Sequence, residues 1–134
     1  MKKTEYVLDS HALVAYLQNE AIADQVEALL DQADGNNATI HMSFINLGEI
    51  TYLVERRYGA TQCREVLNEV EEFPIQFKEV TLNRILDAAH VKAHHAISYA
   101  DAFAVALAQE LDATIVSGDP EFRQVESLVQ VLWL

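Results

Sequence analysis

The sequence predicts an α/β fold of three layers, α/β/α, with a central, mainly parallel sheet of five strands. Short β-like runs alternate along the chain with longer segments in which apolar residues recur at helical spacing. Strands separated by helices pair in parallel through right-handed crossovers, so helices cover both faces of the sheet. The 134 residues fit a single domain, 1–134, because a chain of this size buries roughly two-thirds of its unfolded surface.

In the first half of the chain the pattern predicts two strands and four helices. The strands cover residues 5–8 and 38–42, and the helices cover 10–18, 21–33, 44–58 and 61–71. Tyr6-Val7-Leu8 is a short apolar run, which predicts a buried strand. The turn sequence Asp34-Gly35-Asn36-Asn37 ends the second helix, Gly59 closes the third and Pro74 follows the fourth.

In the second half the pattern predicts three strands and two helices. The strands cover residues 75–80, 114–116 and 129–133, and the helices cover 82–95 and 99–111. Residues 75–80 alternate between apolar and polar side chains, which is typical of a strand. The helix at 99–111 is rich in alanine, and small residues allow a helix to approach the sheet closely.

Composition and charge limit the functions that the chain can carry. The formal net charge is −12, which argues against a broad basic surface that holds nucleic acid by counterion release. Nucleic-acid chemistry would require divalent cations in an acidic pocket, or a basic partner that covers the acidic surface. Cys63 is the only cysteine, so no internal disulfide is expected and a cytoplasmic location is the default. No membrane-spanning segment or signal peptide is expected either.

Four carboxylates stand where the predicted elements would bring them together. Asp9 follows the first strand, Asp119 follows the fourth, Glu49 lies on the helix at 44–58, and Asp101 lies near the start of the alanine-rich helix. In a doubly wound sheet the strands before Asp9 and Asp119 could be neighbours at the point where the strand order reverses. Carboxylates gathered without a base repel one another, and a hard cation relieves that repulsion.

Each carboxylate also has a structural explanation. Glu49 lies among apolar residues, where it would need a metal or an ion pair with Arg56, Arg57 or another base from elsewhere in the chain. The segment from Ser98 to Asp101 matches the capping-box pattern.

Helix capping could also explain Asp9 and Asp119. Asp119 precedes Pro120, which suits an N-cap. Asp9 has the same ambiguity, and we expect Ser10 to cap the first helix and free Asp9 to face the pocket.

Histidines provide weaker candidates. His11 lies next to Asp9 and could support the site or contact substrate, although packing is the commoner role. His90 and His94 have the four-residue spacing of helical zinc proteases, but Val91 stands where the catalytic Glu would be. We therefore interpret His90, His94 and His95 as a cluster at a helix C-terminus, where positive charge is favoured.

Each of the four carboxylates belongs to a short segment, and the segments follow one another in a characteristic order. They are Leu8-Asp9-Ser10-His11-Ala12-Leu13, Asn46-Leu47-Gly48-Glu49-Ile50, Ser98-Tyr99-Ala100-Asp101-Ala102-Phe103 and Ser117-Gly118-Asp119-Pro120-Glu121-Phe122. None is specific by itself. Together, each on the expected strand end or helix, they resemble the PIN-domain ribonucleases of the VapC toxin type over essentially the whole chain.

The resemblance implies a PIN domain in which Asp9, Glu49, Asp101 and Asp119 hold Mg²⁺ or Mn²⁺ and Ser117 hydrogen-bonds within the acidic pocket. It implies an endoribonuclease that hydrolyses RNA phosphodiester bonds, leaving 5′-phosphate and 3′-hydroxyl ends. It also implies a toxin silenced by a cognate VapB-type antitoxin, and a homodimer. The alternative is a catalytically silent PIN scaffold that binds protein or RNA and whose acids only cap helices.

Overall fold

Five parallel strands form the central sheet of the protein. In this computed structural model, which describes residues 3–134, the strands are β1 (Thr4–Leu8), β2 (Ala38–Ser43), β3 (Ile75–Lys78), β4 (Thr114–Ser117) and β5 (Val131–Trp133). Their order across the sheet is β3-β2-β1-β4-β5, and every neighbouring pair is parallel. The predicted α/β class is therefore confirmed. The first two residues of the predicted domain lie outside the described residues.

Within the described residues, six α-helices and one 3₁₀ helix connect the strands. They are α1 (Ser10–Leu17), α2 (Ala23–Asp34), α3 (Phe44–Tyr58), α4 (Ala60–Glu71), α5 (Leu82–His94), α6 (Tyr99–Leu111) and the 3₁₀ helix Pro120–Val125. The bounds of α3 and α6 are those predicted. The third strand ends two residues earlier than predicted, at Lys78, and the last begins two residues later, at Val131.

The strand order reverses beside β1. The chain adds β2 and β3 on one side of β1 and then returns to add β4 and β5 on the other. Leu8 pairs with Val116 across β1 and β4, and the amide of Asp9 donates to the carbonyl of Val116 at 3.4 Å. Open parallel sheets bind their ligands at this kind of switch point, outside the carboxyl ends of the strands.

The sheet is covered on both faces by hydrophobic cores. Val7 packs into the core formed mainly with α5, α6 and the 3₁₀ helix, whereas Leu8 packs into the core formed with α1 to α4. This alternation follows from the two-residue period of a strand, and burial on both faces holds β1 rigidly in the centre of the sheet. Among residues 3–134, no helix combines the length and hydrophobicity needed to cross a bilayer.

The histidine cluster lies at the end of α5, as the sequence predicts. His94 is in the last turn of that helix, and its ring packs edge-on against the ring of His90 with centroids 4.7 Å apart. Both side chains are exposed.

Candidate metal centre

Asp9 lies at the end of β1 and is almost completely buried, with 1% of its surface exposed. Its Oδ1 accepts a hydrogen bond from the amide of Ala12 at 2.8 Å, and its Oδ2 accepts one from the hydroxyl of Ser117 at 2.5 Å. The two oxygens therefore serve two purposes. One caps α1, and the other faces the neighbouring strand β4.

The prediction that Ser10 caps α1 is wrong. Asp9 has an extended backbone (φ −86°, ψ 170°) and is itself the N-cap. Its amide still belongs to the sheet through the bond to Val116, so the helix cannot begin before Ser10. The hydroxyl of Ser10 instead donates to the backbone carbonyl of Asn46 on α3, at 3.2 Å.

Ser117 connects Asp9 to Asp119. The Ser117 hydroxyl, which is fully buried, donates to Asp9 and accepts a hydrogen bond from the amide of Asp119 at 2.9 Å. Asp119 in turn caps the 3₁₀ helix, because its Oδ1 accepts from the amide of Glu121 at 2.9 Å. This polar chain fixes two acids at the ends of adjacent strands.

Asp101 is buried in the first turn of α6, and Glu121 reaches that turn from the 3₁₀ helix. Ser98 caps α6 by accepting from the amide of Asp101 at 3.1 Å. In a complete capping box, the carboxylate of Asp101 would accept from the amide of Ser98. Glu121 Oε1 accepts that bond instead, at 2.5 Å. The capping-box explanation of the Asp101 carboxylate is therefore wrong, because another acid takes its partner.

Three of these acids are close enough to bind one metal ion together. One oxygen from each of Asp101, Asp119 and Glu121 lies within 4.8 Å of the other two. Burial raises the pKa of Asp101 to about 7, with the charges of Glu121, Asp9 and Asp119 adding to the effect and the Ser98 hydroxyl opposing it. The site is thus short of positive charge.

The pKa of Asp9 is also raised, to about 6. Burial is the main cause, and the charge of Asp119 adds to it. The hydrogen bonds from Ser117 and Ala12 and the charge of His11 oppose the shift. His11 is exposed beside the site, and its Cε1 lies 3.6 Å from the place where a side chain at Gly118 would begin.

Glu49 is placed differently from the other acids. It lies on α3 and is half-buried, and it does not belong to the group of three oxygens. The predicted apolar surroundings are only partly right, because Leu53 is exposed. The alternative explanation, an ion pair with Arg56, Arg57 or another base, is wrong, since the ion pairs of residues 3–134 are His41–Glu5 and Arg84–Glu110.

Two residues of the site were not predicted from the sequence. Glu121 belongs to the segment that carries Asp119 but is given no role by the sequence, although two acids so close together are a possible signal. Asn46 is a polar residue in a strongly apolar helix, and its burial is complete. A poor helix former in such a place is a sign that its side chain has a specific partner.

Removing the Ser117 hydroxyl should destabilise the protein. Ser117→Ala leaves the carboxylate of Asp9 and the amide of Asp119 without their common partner, and an unsatisfied buried group costs roughly 1–3 kcal/mol. We expect urea denaturation at pH 8 to show a loss of about 2 kcal/mol. Ser127→Ala, at an exposed position, is the control and should change stability by less than about 0.5 kcal/mol. Equal stability of the two variants would contradict this account of Ser117.

Comparison with solved structures identifies chains of similar fold. The VapBC2 complex of Rickettsia felis, bound to a promoter DNA fragment, matches with a TM-score of 0.78 at 17% identity over 98% of this chain and 99% of that chain. VapBC-1 of nontypeable Haemophilus influenzae matches with 0.71 at 20% identity over 97% and 98%. VapC20 of Mycobacterium tuberculosis, described as a toxin that cleaves the sarcin-ricin loop, matches with 0.71 at 17% identity over 88% and 92%.

Sequence comparison assigns the family. A search of curated proteins found no match. The family model described as the PIN domain, however, matches residues 6–128. That range includes β4, the last three residues of β1 and the candidate acids Asp9, Glu49, Asp101, Asp119 and Glu121. On this evidence, the chain belongs to the PIN-domain family.

Proposed function

We propose that the protein is a Mg²⁺- or Mn²⁺-dependent endoribonuclease that acts as the toxin of a toxin–antitoxin pair. The observation that carries the proposal is the convergence of Asp9, Asp101, Asp119 and Glu121 at the switch point. Within residues 3–134, none of these four carboxylates forms an ion pair with a basic side chain. Membership of the PIN family and the likeness in fold to VapC proteins support the same function.

The donor set fits a hard divalent cation. Carboxylate oxygens are the ligands that Mg²⁺ and Mn²⁺ prefer. Both oxygens of Asp9 accept hydrogen bonds, but each keeps a second lone pair. We propose Asp9, Asp101 and Asp119 as principal ligands, joined by Glu121, with Glu49 as a further ligand or the base that orients water. A bound ion would lower the pKa of a water molecule and stabilise charge on the phosphoryl oxygens.

The remaining polar groups of the site partly offset the effect of burial on Asp9 and hold the acids in place. The hydroxyl of Ser117 favours the charged form of Asp9 and fixes the direction of its Oδ2. Glu121 is held by the amide of Ser98, and one of its oxygens lies within 4.8 Å of an oxygen of Asp101 and an oxygen of Asp119. The chain thereby supplies an arrangement of charges that changes little when substrate binds.

Charge and the structural neighbours support the partners that we propose. The Rickettsia felis structure contains VapB with VapC, and we propose a VapB-type antitoxin for this chain as well. A net charge of −12 favours a basic partner, and RNA would approach only where cations offset the acidic charge.

The proposal also covers cell location, domain organisation and assembly. It includes a single PIN domain over residues 1–134, acting in the cytoplasm. It includes a homodimer too, for which Leu82 and Leu86 of α5, 69% and 57% exposed, offer apolar surface.

A catalytically silent PIN scaffold is the second candidate, and the capping bonds of Asp9 and Asp119 favour it. Thermal unfolding with added Mn²⁺ separates the two functions, since a helix cap needs no metal. We expect Tm to rise by roughly 5–10 °C when free Mn²⁺ exceeds its Kd 100-fold.

Variants of two nearby glutamates test whether the rise in Tm depends on the clustered carboxylates. Glu121→Gln should reduce the rise in Tm, because it removes one of the three clustered carboxylates. Glu126→Gln, an exposed position with the same change of charge, should keep the full rise. A wild-type Tm that does not respond to Mn²⁺ or Mg²⁺ would favour the scaffold.

A further inference from the structure

Asn46 forms hydrogen bonds to two other helices from inside α3. It is completely buried, at 0% exposure, and lies three residues before Glu49. Its side-chain Nδ2 donates to the carbonyl of Ala100 at 3.0 Å, and its backbone carbonyl accepts from the hydroxyl of Ser10 at 3.2 Å. These bonds connect α3 to α6 and to α1.

The two partners of Asn46 adjoin acids of the candidate centre. Ser10 follows Asp9 directly, and Ala100 precedes Asp101 directly. One residue therefore joins the peptide segments that carry Asp9 and Asp101 to the helix that carries Glu49. Ser117 provides the corresponding connection between Asp9 and Asp119.

The stability of α3 does not explain an asparagine at this position. Asn46 is the third residue of α3, where Asn forms helix less well than Leu, and burying an amide is unfavourable unless its groups are paired. Only part of that cost is offset, because Oδ1 of Asn46 has no hydrogen-bond donor within residues 3–134. Leucine has the same branched shape and no polar group to bury, so the bond that the amide makes to α6 explains the asparagine.

We infer that Asn46 is a positioning residue that fixes Glu49 on α3 relative to Asp9 and Asp101. The inference rests on the proposed function in one respect, namely that these acids act together on a divalent cation. Asn46 itself is not a metal ligand in this proposal. It acts through the three helices that it holds together.

The test compares Asn46→Leu with Thr51→Val. Thr51 is also on α3, but its hydroxyl donates within the helix, to the carbonyl of Leu47 at 2.7 Å, so Thr51→Val removes a hydrogen bond without affecting α1 or α6. Removal of groups that orient metal ligands typically costs 10–100-fold in affinity or activity. For Asn46→Leu we expect calorimetric Mn²⁺ affinity and kcat for RNA cleavage each to fall about tenfold or more. The KM of Asn46→Leu for RNA should stay within about twofold of the wild-type value. The Mn²⁺ affinity and the kcat of Thr51→Val should also stay within about twofold of wild type, as is usual for changes outside a site.

Crystal structures of the two variants decide the positioning claim separately from activity. A change in the separation of Glu49 from Asp101 in Asn46→Leu, with none in Thr51→Val, supports it. Unchanged acid positions together with wild-type Mn²⁺ affinity overturn it. If wild-type protein itself binds no Mn²⁺ and cleaves no RNA, the proposed function fails, and the crystal structures still settle whether Asn46 positions the acids.

Two further variants cover the case in which Asn46→Leu does not fold. Asn46→Ala removes the same side-chain bond to Ala100. Ser10→Ala removes only the bond from α1 and leaves the amide of Asn46 in place. Both should weaken Mn²⁺ binding, Ser10→Ala by the smaller factor, and wild-type affinity in both would overturn the inference.

Discussion

Replacing Asp9 by asparagine should reduce metal-dependent RNA cleavage by about 100-fold or more, which is the scale of losing one charge-stabilising group at an active site. The same substitution should leave the protein folded. Asn keeps an Oδ1 that can accept from the amide of Ala12, and its Nδ2 can donate to the hydroxyl oxygen of Ser117. The expected loss is therefore one of charge and not of structure, and steady-state cleavage assays with a circular-dichroism spectrum measure the two separately.

Without metal, Asp9→Asn should be more stable than wild type at pH 8. Burial raises the pKa of Asp9 to about 6 from an ordinary value of 3.8. The ionised carboxylate therefore lowers the free energy of unfolding at pH 8. One pKa unit corresponds to about 1.4 kcal/mol, which sets a limit on the order of 3 kcal/mol for the gain. Asp34→Asn, at the exposed end of α2, removes the same charge from the surface and is the control. A less stable Asp9→Asn protein, or one that cleaves RNA at the wild-type rate, would refute this assignment of Asp9.

The second large effect is on the pH dependence of stability in the metal-free protein. Both Asp9 and Asp101 bind a proton more tightly in the folded chain than in the unfolded chain, because burial raises their pKa to about 6 and about 7. Their contribution to stability is thus complete below about pH 4 and is lost as the pH rises through 6 and 7. Wild type should therefore lose stability relative to Asp9→Asn between pH 4 and 8.

Urea denaturation in EDTA at several pH values measures this difference. Other carboxylates titrate in both proteins, so the difference in unfolding free energy between wild type and Asp9→Asn isolates Asp9. With saturating Mg²⁺ or Mn²⁺, wild type should instead gain stability relative to Asp9→Asn as the pH rises, because a cation competes with protons for the same oxygens. If the difference in unfolding free energy between the two proteins does not depend on pH, burial does not raise the pKa of Asp9, and this account of the residue is contradicted.

The central part of the fold was predictable because it depends on local patterns. Buried parallel strands are continuous apolar runs, and alternation with amphipathic helices allows few topologies. The expectation that the strands before Asp9 and Asp119 are neighbours is confirmed by the pairing of Leu8 with Val116. Strand ends were less predictable, since they depend on hydrogen bonds to neighbouring strands.

The details of the site depended on contacts that are distant in sequence. Asp9 and Ser10 are both good N-caps, and only the bond from Asp9 to Val116 on β4 decides which of them begins α1. Glu121 became part of the site because the 3₁₀ helix turns it towards Ser98, 23 residues earlier in the chain. The role of Asn46 depends in the same way on Ala100, 54 residues away. Helical periodicity carries no information about such partners.

Cleavage of RNA by the purified protein, with mapping of the cut ends, tests the proposed function most directly. Total RNA incubated with wild type and Mg²⁺ or Mn²⁺ should show defined cuts with 5′-phosphate and 3′-hydroxyl ends. Cleavage should disappear in EDTA and should fall by about 100-fold or more in Asp9→Asn. Cuts that persist in EDTA, undiminished cleavage by Asp9→Asn, or RNA left intact by wild type with either metal would contradict a metal-dependent ribonuclease built on these carboxylates.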